Sequence, residues 1–149
     1  MAEALAEANC SAALGEVPVG AVVAQNVGNR LRIIARAHNR VESEGKASRH
    51  AEMLAIEQAS EAVGDWRLSN CILAVTLEPC PMCIGALRLA RVPLIVFGSS
   101  DPRAGACGSL FDLSQDARLG PVPRVISGIM EKECGELLSG FFQKRRQAA

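Results

Sequence analysis

The run from Cys71 to Leu77 is almost wholly apolar and is cut off by Glu78-Pro79-Cys80-Pro81-Met82-Cys83. An apolar run this short, closed by proline, reads as a strand buried on both faces. A strand of that kind needs a covering layer on each side, which restricts the chain to layered folds. Pro79 is expected to end the strand and open a helix reaching about Ala90, because proline suits the first helical position. Further strands are read at Val19–Ala24, Leu31–Ala37 and Pro93–Phe97, with a short fifth at Arg124–Ile126. Between them lie helical segments. The first runs from Met1 to about Leu14 and stops at Gly15. The second is capped by Ser48 and reaches about Val63, with Met53, Ile56, Ala59 and Val63 on its apolar side. The last starts near Ile129 and gathers Met130, Cys134, Leu137, Leu138 and Phe141 on one face. Strands alternating with helices predict one α/β domain over residues 1–149 with a partly parallel central sheet. The polar stretch His38–Arg49 interrupts the alternation and reads as a loop of functional length.

Composition narrows the function. With 149 residues, 49% of them hydrophobic, the chain can bury a self-supporting core and needs no disulfide or metal staple to fold. Lys plus Arg (16) balances Asp plus Glu (16), which excludes binding of nucleic acid by bulk positive charge. Aromatics amount to Trp66, Phe97, Phe111, Phe141 and Phe142, too few for an open sheet that stacks successive bases. No apolar run reaches the length of a membrane span, and the N-terminus lacks the cationic start of a signal peptide. The six cysteines include a C-x-x-C and accompany no export signal, so a reducing cytoplasm fits better than a secreted disulfide scaffold.

Two motifs carry chemistry: His50-Ala51-Glu52 and Pro79-Cys80-Pro81-Met82-Cys83, each at an expected helix start. Cys80 and Cys83 are three residues apart, so their sulfurs share a face, and the helix dipole eases their ionisation. Two thiolates and one imidazole make a three-ligand Zn²⁺ site with a fourth position open to water, the pattern of catalytic rather than structural zinc. Soft thiolate donors favour zinc over other divalent ions. Glu52 is then free to take a proton from the water and pass it to a leaving group, as in hydrolytic removal of ammonia from an amidine-like carbon. A C-x-x-C alone is equally a redox dithiol or half of a structural zinc site, and H-x-E alone says little. An H-x-E followed by P-C-x-x-C is the pattern of zinc nucleobase deaminases.

On these residues the chain resembles the cytidine/deoxycytidylate deaminase superfamily, and within it the bacterial tRNA-specific adenosine deaminases. The likeness extends over nearly the whole sequence: Gly15–Val23, Ala37-His-Asn-Arg40, the two zinc motifs, Val96-Phe-Gly98, Asp101–Leu110 and Leu137–Arg146. The zinc motifs belong to the whole superfamily. Gly105-Ala-Cys-Gly-Ser109 and Phe141-Phe142 with Arg145-Arg146 are closer to the tRNA enzymes. The resemblance implies a three-layer α/β/α fold around a five-stranded mixed sheet, a homodimer, and one zinc per subunit held by His50, Cys80 and Cys83. It implies deamination of the wobble adenosine of a tRNA anticodon, typically that of arginine tRNA, to inosine. Glu52 would move the protons, Asn39 and the backbone of Ala51 would hold the flipped base, Asp101 would contact RNA beside it, and Phe142 and Arg146 would contact the anticodon stem-loop. Two stretches depart from the family pattern. Lys46-Ala-Ser-Arg49 replaces an Asp-Pro-Thr-Ala-like segment, with Arg49 adding a cation where a phosphate could lie, and Cys107 replaces an alanine. The N-terminal helix is also short for the family.

Other residues have plainer readings. Cys10, Cys71, Cys107 and Cys134 are expected to be small buried hydrophobes, and His38 a packed or surface histidine. Lys144-Arg145-Arg146 reads as a solvated helix end unless the family likeness makes it an RNA patch. Two other functions remain open on the sequence: a deaminase of a free base or nucleoside, of cytosine or guanine type, and a non-catalytic zinc-binding RNA module.

Overall fold

A computed structural model describes all residues from Met1 to Ala149. In chain order the elements are α1 (Ala2–Ala13), β1 (Gly20–Val27), β2 (Arg30–His38), α2 (Val41–Glu44), α3 (Ala51–Val63), β3 (Cys71–Leu77), α4 (Pro81–Leu89), β4 (Leu94–Ser99), β5 (Arg124–Ile126) and α5 (Glu131–Ala148), with a single 3-10 turn at Ala117–Leu119 before β5. The strands form one sheet in the order β2-β1-β3-β4-β5. The pairs β1/β2 and β1/β3 are antiparallel, and β3/β4 and β4/β5 are parallel. The expected five-stranded mixed sheet is therefore present, with the apolar run Cys71–Leu77 at its centre.

Strand periodicity sorts the core into two layers. Ala21, Val23, Leu73, Val75, Ile95 and Phe97 face α3 and α4 and join the larger cluster with Ala51, Ala55, Ile84 and Leu87. Val22 and Ala74 face the other way and pack with Ala4 of α1. On this second face α1 lies so close to β1 that a Cβ on Gly20 would stand 2.0 Å from the carbonyl oxygen of Ala4. Only glycine admits that approach. No helix is long and apolar enough to cross a membrane.

Several local expectations change. The buried row of α3 is Ala51, Ala55 and Ala59, one per turn, because alanines let the helix lie close on the sheet; Met53, Ile56 and Val63 are only half-buried at its flank. His50, not Ser48, is the N-cap of α3. Pro81, not Pro79, occupies the first position of α4, with Cys80 as N-cap. Proline biases the residue before it towards extended backbone, so Pro81 keeps Cys80 at ψ 173° and starts the helix one residue later. Met130 is the N-cap of α5 rather than part of its apolar face, while Cys134 is buried and Leu137, Leu138 and Phe141 are half-buried. The stretch from His38 to Arg49 is a loop holding the short helix α2. Cys71 and Cys134 are buried as expected, Cys107 is half-buried, and Cys10 is exposed because it lies on the outer side of α1.

Candidate active site and metal centre

The functional residues collect at one end of the sheet, where β1 begins and β2, β3 and β4 end. Asn39 follows β2, Glu78 follows β3, and Asp101 lies just past β4. The N-termini of α3 and α4 point into the same place. His50 and Cys80 are the N-caps of these two helices and both are extended, while Cys83 is in the first turn of α4. Two helix starts thus bring together three ligands that are 30 and 33 residues apart in sequence.

Nδ1 of His50 lies 3.6 Å from Sγ of Cys80 and 3.5 Å from Sγ of Cys83. All three ligand atoms fall within 4.8 Å of one another. A tetrahedral zinc with bonds of about 2.3 Å to sulfur and 2.0 Å to nitrogen requires an N···S edge of about 3.5 Å. Both N···S distances therefore match a tetrahedral zinc site. Cys83 is fully buried beneath the cluster, whereas His50 and Cys80 border an open cavity of about 270 Å³.

Protons are unevenly held across the cluster. The hydrogen bond from Cys83, aided by His50, brings Cys80 down to about 4. The same bond to Cys80, with burial, holds Cys83 well above the usual thiol range. His50 is raised because it hydrogen-bonds Cys80. Glu52 lines the cavity beside these groups and is only 4% exposed. Burial pushes its carboxyl up to about 7, so at neutral pH it is poised both to accept and to give a proton.

Asn39, Ala51 and Asp101 also line the cavity. Phe142 and Arg146 do not; both are exposed near the end of α5. Arg49 is not a free cation for phosphate, because it pairs with Glu44 at 2.9 Å and Glu57 at 3.1 Å. His38 bonds Glu7 at 2.8 Å and takes no part in the metal cluster. Two acids escaped the sequence reading. Glu16 is buried and accepts the backbone N–H of Ser43 (2.6 Å) and Glu42 (3.2 Å) and the side-chain amide of Asn39 (3.4 Å). Glu78 is buried and accepts N–H groups from Asp101, Cys107 and Ser109. Their only sequence signal is a carboxylate set inside an apolar stretch, next to Val17-Pro18-Val19 and after Val75-Thr76-Leu77.

Residues 1–99 match the cytidine and deoxycytidylate deaminase zinc-binding region. The chain is 49% identical to the tRNA-specific adenosine deaminase of Bacillus subtilis (strain 168), a match covering 99% of this chain and 89% of that protein. The chain belongs to the tRNA-specific adenosine deaminases. Among solved structures, one from a study of A-to-I editing by tRNA:A34 deaminases at the wobble position of transfer RNA aligns with a TM-score of 0.83 at 40% identity, over 93% of this chain and 97% of that one. The guanine deaminase from Nitrosomonas europaea aligns with a TM-score of 0.74 at 25% identity, over 94% of this chain and 81% of that one. In this tRNA-specific adenosine deaminase the family's zinc-binding region corresponds to the His50, Cys80 and Cys83 cluster.

Proposed function

We propose that this chain converts the wobble adenosine of a tRNA anticodon, arginine tRNA in the first instance, to inosine by zinc-dependent hydrolytic deamination. One observation carries the reading: a buried glutamate shares a base-sized cavity with a His-Cys-Cys cluster of tetrahedral zinc dimensions, in a chain 49% identical to a tRNA-specific adenosine deaminase. A cavity of about 270 Å³ lies near the lower limit of ligand pockets and suits one flipped base.

Zinc, when bound by His50, Cys80 and Cys83 as one ion per subunit, supplies a Lewis acid that makes water nucleophilic at neutral pH. Glu52 takes one proton from the water and delivers it to N1 of the adenine ring; it then takes the second proton from the new hydroxyl on C6 and gives it to the amino group, so that the C6–N bond breaks, ammonia leaves and the C6 carbonyl of inosine forms. A carboxyl held near 7 by burial serves both directions of transfer. Asn39 and the backbone of Ala51 hold the base in the cavity, which excludes bulk water from the reacting carbon. Asp101 contacts the RNA beside the target. Phe142 and Arg146 on α5 meet the anticodon stem-loop, where arginine suits phosphate.

The active unit is a homodimer. Met82 and Leu89 of α4 are exposed, Leu89 by 76%, and Leu110, Phe111 and Val122 of the following loops are exposed with them; a second copy would cover this apolar surface. Six free cysteines support a cytoplasmic location.

The test is incubation of the zinc-loaded protein with an anticodon stem-loop carrying adenosine at the wobble position, with Glu52→Ala as control. Inosine from the parent and none from the variant is the expected result. Failure with the stem-loop but turnover of free guanine or cytosine would establish the second reading, which the fold likeness to guanine deaminase supports. Undiminished RNA binding with no turnover of any substrate would leave a non-catalytic zinc module.

A further inference from the structure

Glu78 is the one carboxylate besides Glu52 and Glu42 whose position on the cavity wall is not explained by the RNA contacts assigned to Asp101. It is 3% exposed and has no Lys, Arg or His within ion-pair distance. A buried carboxylate without a counter-ion needs hydrogen-bond donors to offset its desolvation. Four donors converge on it. Oε1 accepts the backbone N–H of Cys107 and of Ser109, each at 3.0 Å. Oε2 accepts the N–H of Asp101 at 2.9 Å and the hydroxyl of Ser109. A carboxylate offers about four lone-pair sites, so Glu78 has no acceptor left for substrate or water.

All four donors come from one loop, residues 101–109, and the loop is folded tightly onto the carboxylate. A Cβ on Gly105 would lie 2.4 Å from Cδ of Glu78 and 2.5 Å from the carbonyl oxygen of Asp101. The adjoining backbone is sewn to the same loop. The N–H of Glu78 donates to Ser99 at 2.8 Å, and the carbonyl of Pro79 accepts from Ala106 at 2.9 Å. The next residue is Cys80. A single turn of chain therefore carries a metal ligand on one side and the anchor of the Asp101 loop on the other.

We propose that Glu78 is a positioning residue for the reaction: by saturating its carboxylate with loop donors it holds Asp101 at the cavity mouth in the geometry that receives the RNA beside the flipped base. The inference rests on the tRNA reading for its substrate, but not for its structural core. Glu78 acts through the loop and transfers no proton.

The experiment compares the zinc-loaded parent with Glu78→Gln, which keeps the side chain's shape but turns one acceptor into a donor, and with Ser109→Ala, which removes one donor and leaves Glu78 intact. Three quantities are read: zinc content, amide hydrogen exchange at Asp101, Cys107 and Ser109, and the kcat and KM for the wobble-adenosine stem-loop. Zinc content should stay at the parent's level in both variants. Exchange at the three amides should quicken tenfold or more in Glu78→Gln and less in Ser109→Ala. The kcat/KM should fall tenfold or more in Glu78→Gln, mainly through KM, and in the same direction but less in Ser109→Ala. A fall confined to kcat, with exchange unchanged, would overturn the proposal and assign Glu78 to proton transfer. If Glu78→Gln does not fold, unchanged KM and unchanged exchange at Asp101 and Cys107 in Ser109→Ala overturn it instead. A parent that makes no inosine from the stem-loop would overturn the tRNA reading, and the exchange comparison would still decide whether Glu78 holds the loop.

Discussion

The side-chain amide of Asn39 donates to the buried carboxylate of Glu16 at 3.4 Å, and a second bond from the same amide reaches the carbonyl of Val17 at 3.3 Å. Glu16 precedes β1 and Asn39 follows β2, so the antiparallel pairing of these strands places an acid and an amide side by side from positions 23 residues apart. The amide proposed to hold the base is thereby oriented by Glu16. Replacing Glu16 with alanine should lower stability by about 1–3 kcal/mol, since its donors are left unmet, and should reduce turnover by freeing Asn39. Urea unfolding and the inosine assay measure the two effects separately.

Acid should weaken the same wall of the cavity. Burial works against the charge on Glu16, but the N–H and hydroxyl of Ser43 and the N–H of Glu42 overcome it and hold the carboxyl below its ordinary 4.5. A depressed carboxyl contributes stability that is full above 4.5 and is lost as pH falls through its lower folded value. Glu16→Gln, which cannot titrate, should lose less stability than the parent on acidification through that window. Urea midpoints taken at about neutral pH and again on the acid side of it give the comparison.

Glu52 should be indispensable to turnover and irrelevant to metal retention. It stands outside the three-residue ligand cluster, and positioned acid–base groups contribute about 10²–10⁴-fold to rate. Glu52→Gln should therefore cut kcat by at least about 100-fold while zinc content remains at the parent's level. Loss of zinc in this variant would mean that the carboxylate supports the metal.

Gly20 should tolerate no side chain. The Cβ of Gly20→Ala would meet backbone atoms of α1, at 2.0 Å from the Ala4 oxygen and 2.4 Å from the Ala8 nitrogen. Backbone cannot step aside as a side chain can, so the helix must lift from the sheet. Overpacking of this kind costs about 1–3 kcal/mol, to be read as a lower urea midpoint with an unchanged slope.

Arg88 ties the loop before β5 to the helix that carries Cys83. One guanidinium nitrogen donates to the carbonyls of Leu113 (2.9 Å) and Asp116 (2.6 Å), the other to Gly120 (2.8 Å) and Pro121 (3.0 Å). The residue is 4% exposed. Arg88→Met should cost about 1.5–3 kcal/mol, the scale for losing hydrogen bonds from a charged group and leaving carbonyls without a donor. Arg88→Lys should not restore it, because a single ammonium cannot spread its donors across both pairs of carbonyls. Chemical denaturation of the three proteins tests both statements.

The sequence by itself determined the layered α/β fold, the central strand and the identity of the chemistry. Those properties rest on local physics: apolar periodicity chooses strand or helix, proline ends one and starts the other, and two cysteines three apart share a helix face whatever surrounds them. The cluster of His50, Cys80 and Cys83 was legible because each motif is short and its residue types have few other uses in that order. The tertiary structure alone decided how those motifs meet, since the 3.5 and 3.6 Å contacts of His50 depend on two helix starts, packed on the same face of the sheet, converging at one end of it. It also decided that the alanine row of α3 is the buried one, that Arg49 is consumed by Glu44 and Glu57, and that Phe142 and Arg146 stand apart from the cavity. Glu16 and Glu78 show the division most sharply. A carboxylate buried without a cation has no favourable local context, and its stability comes from donors contributed by segments 23 or more residues distant, such as Asn39 and Glu42 to Glu16 and Asp101 and Cys107 to Glu78. Such long-range compensation leaves no periodic trace in the chain, because it is created only when the fold closes.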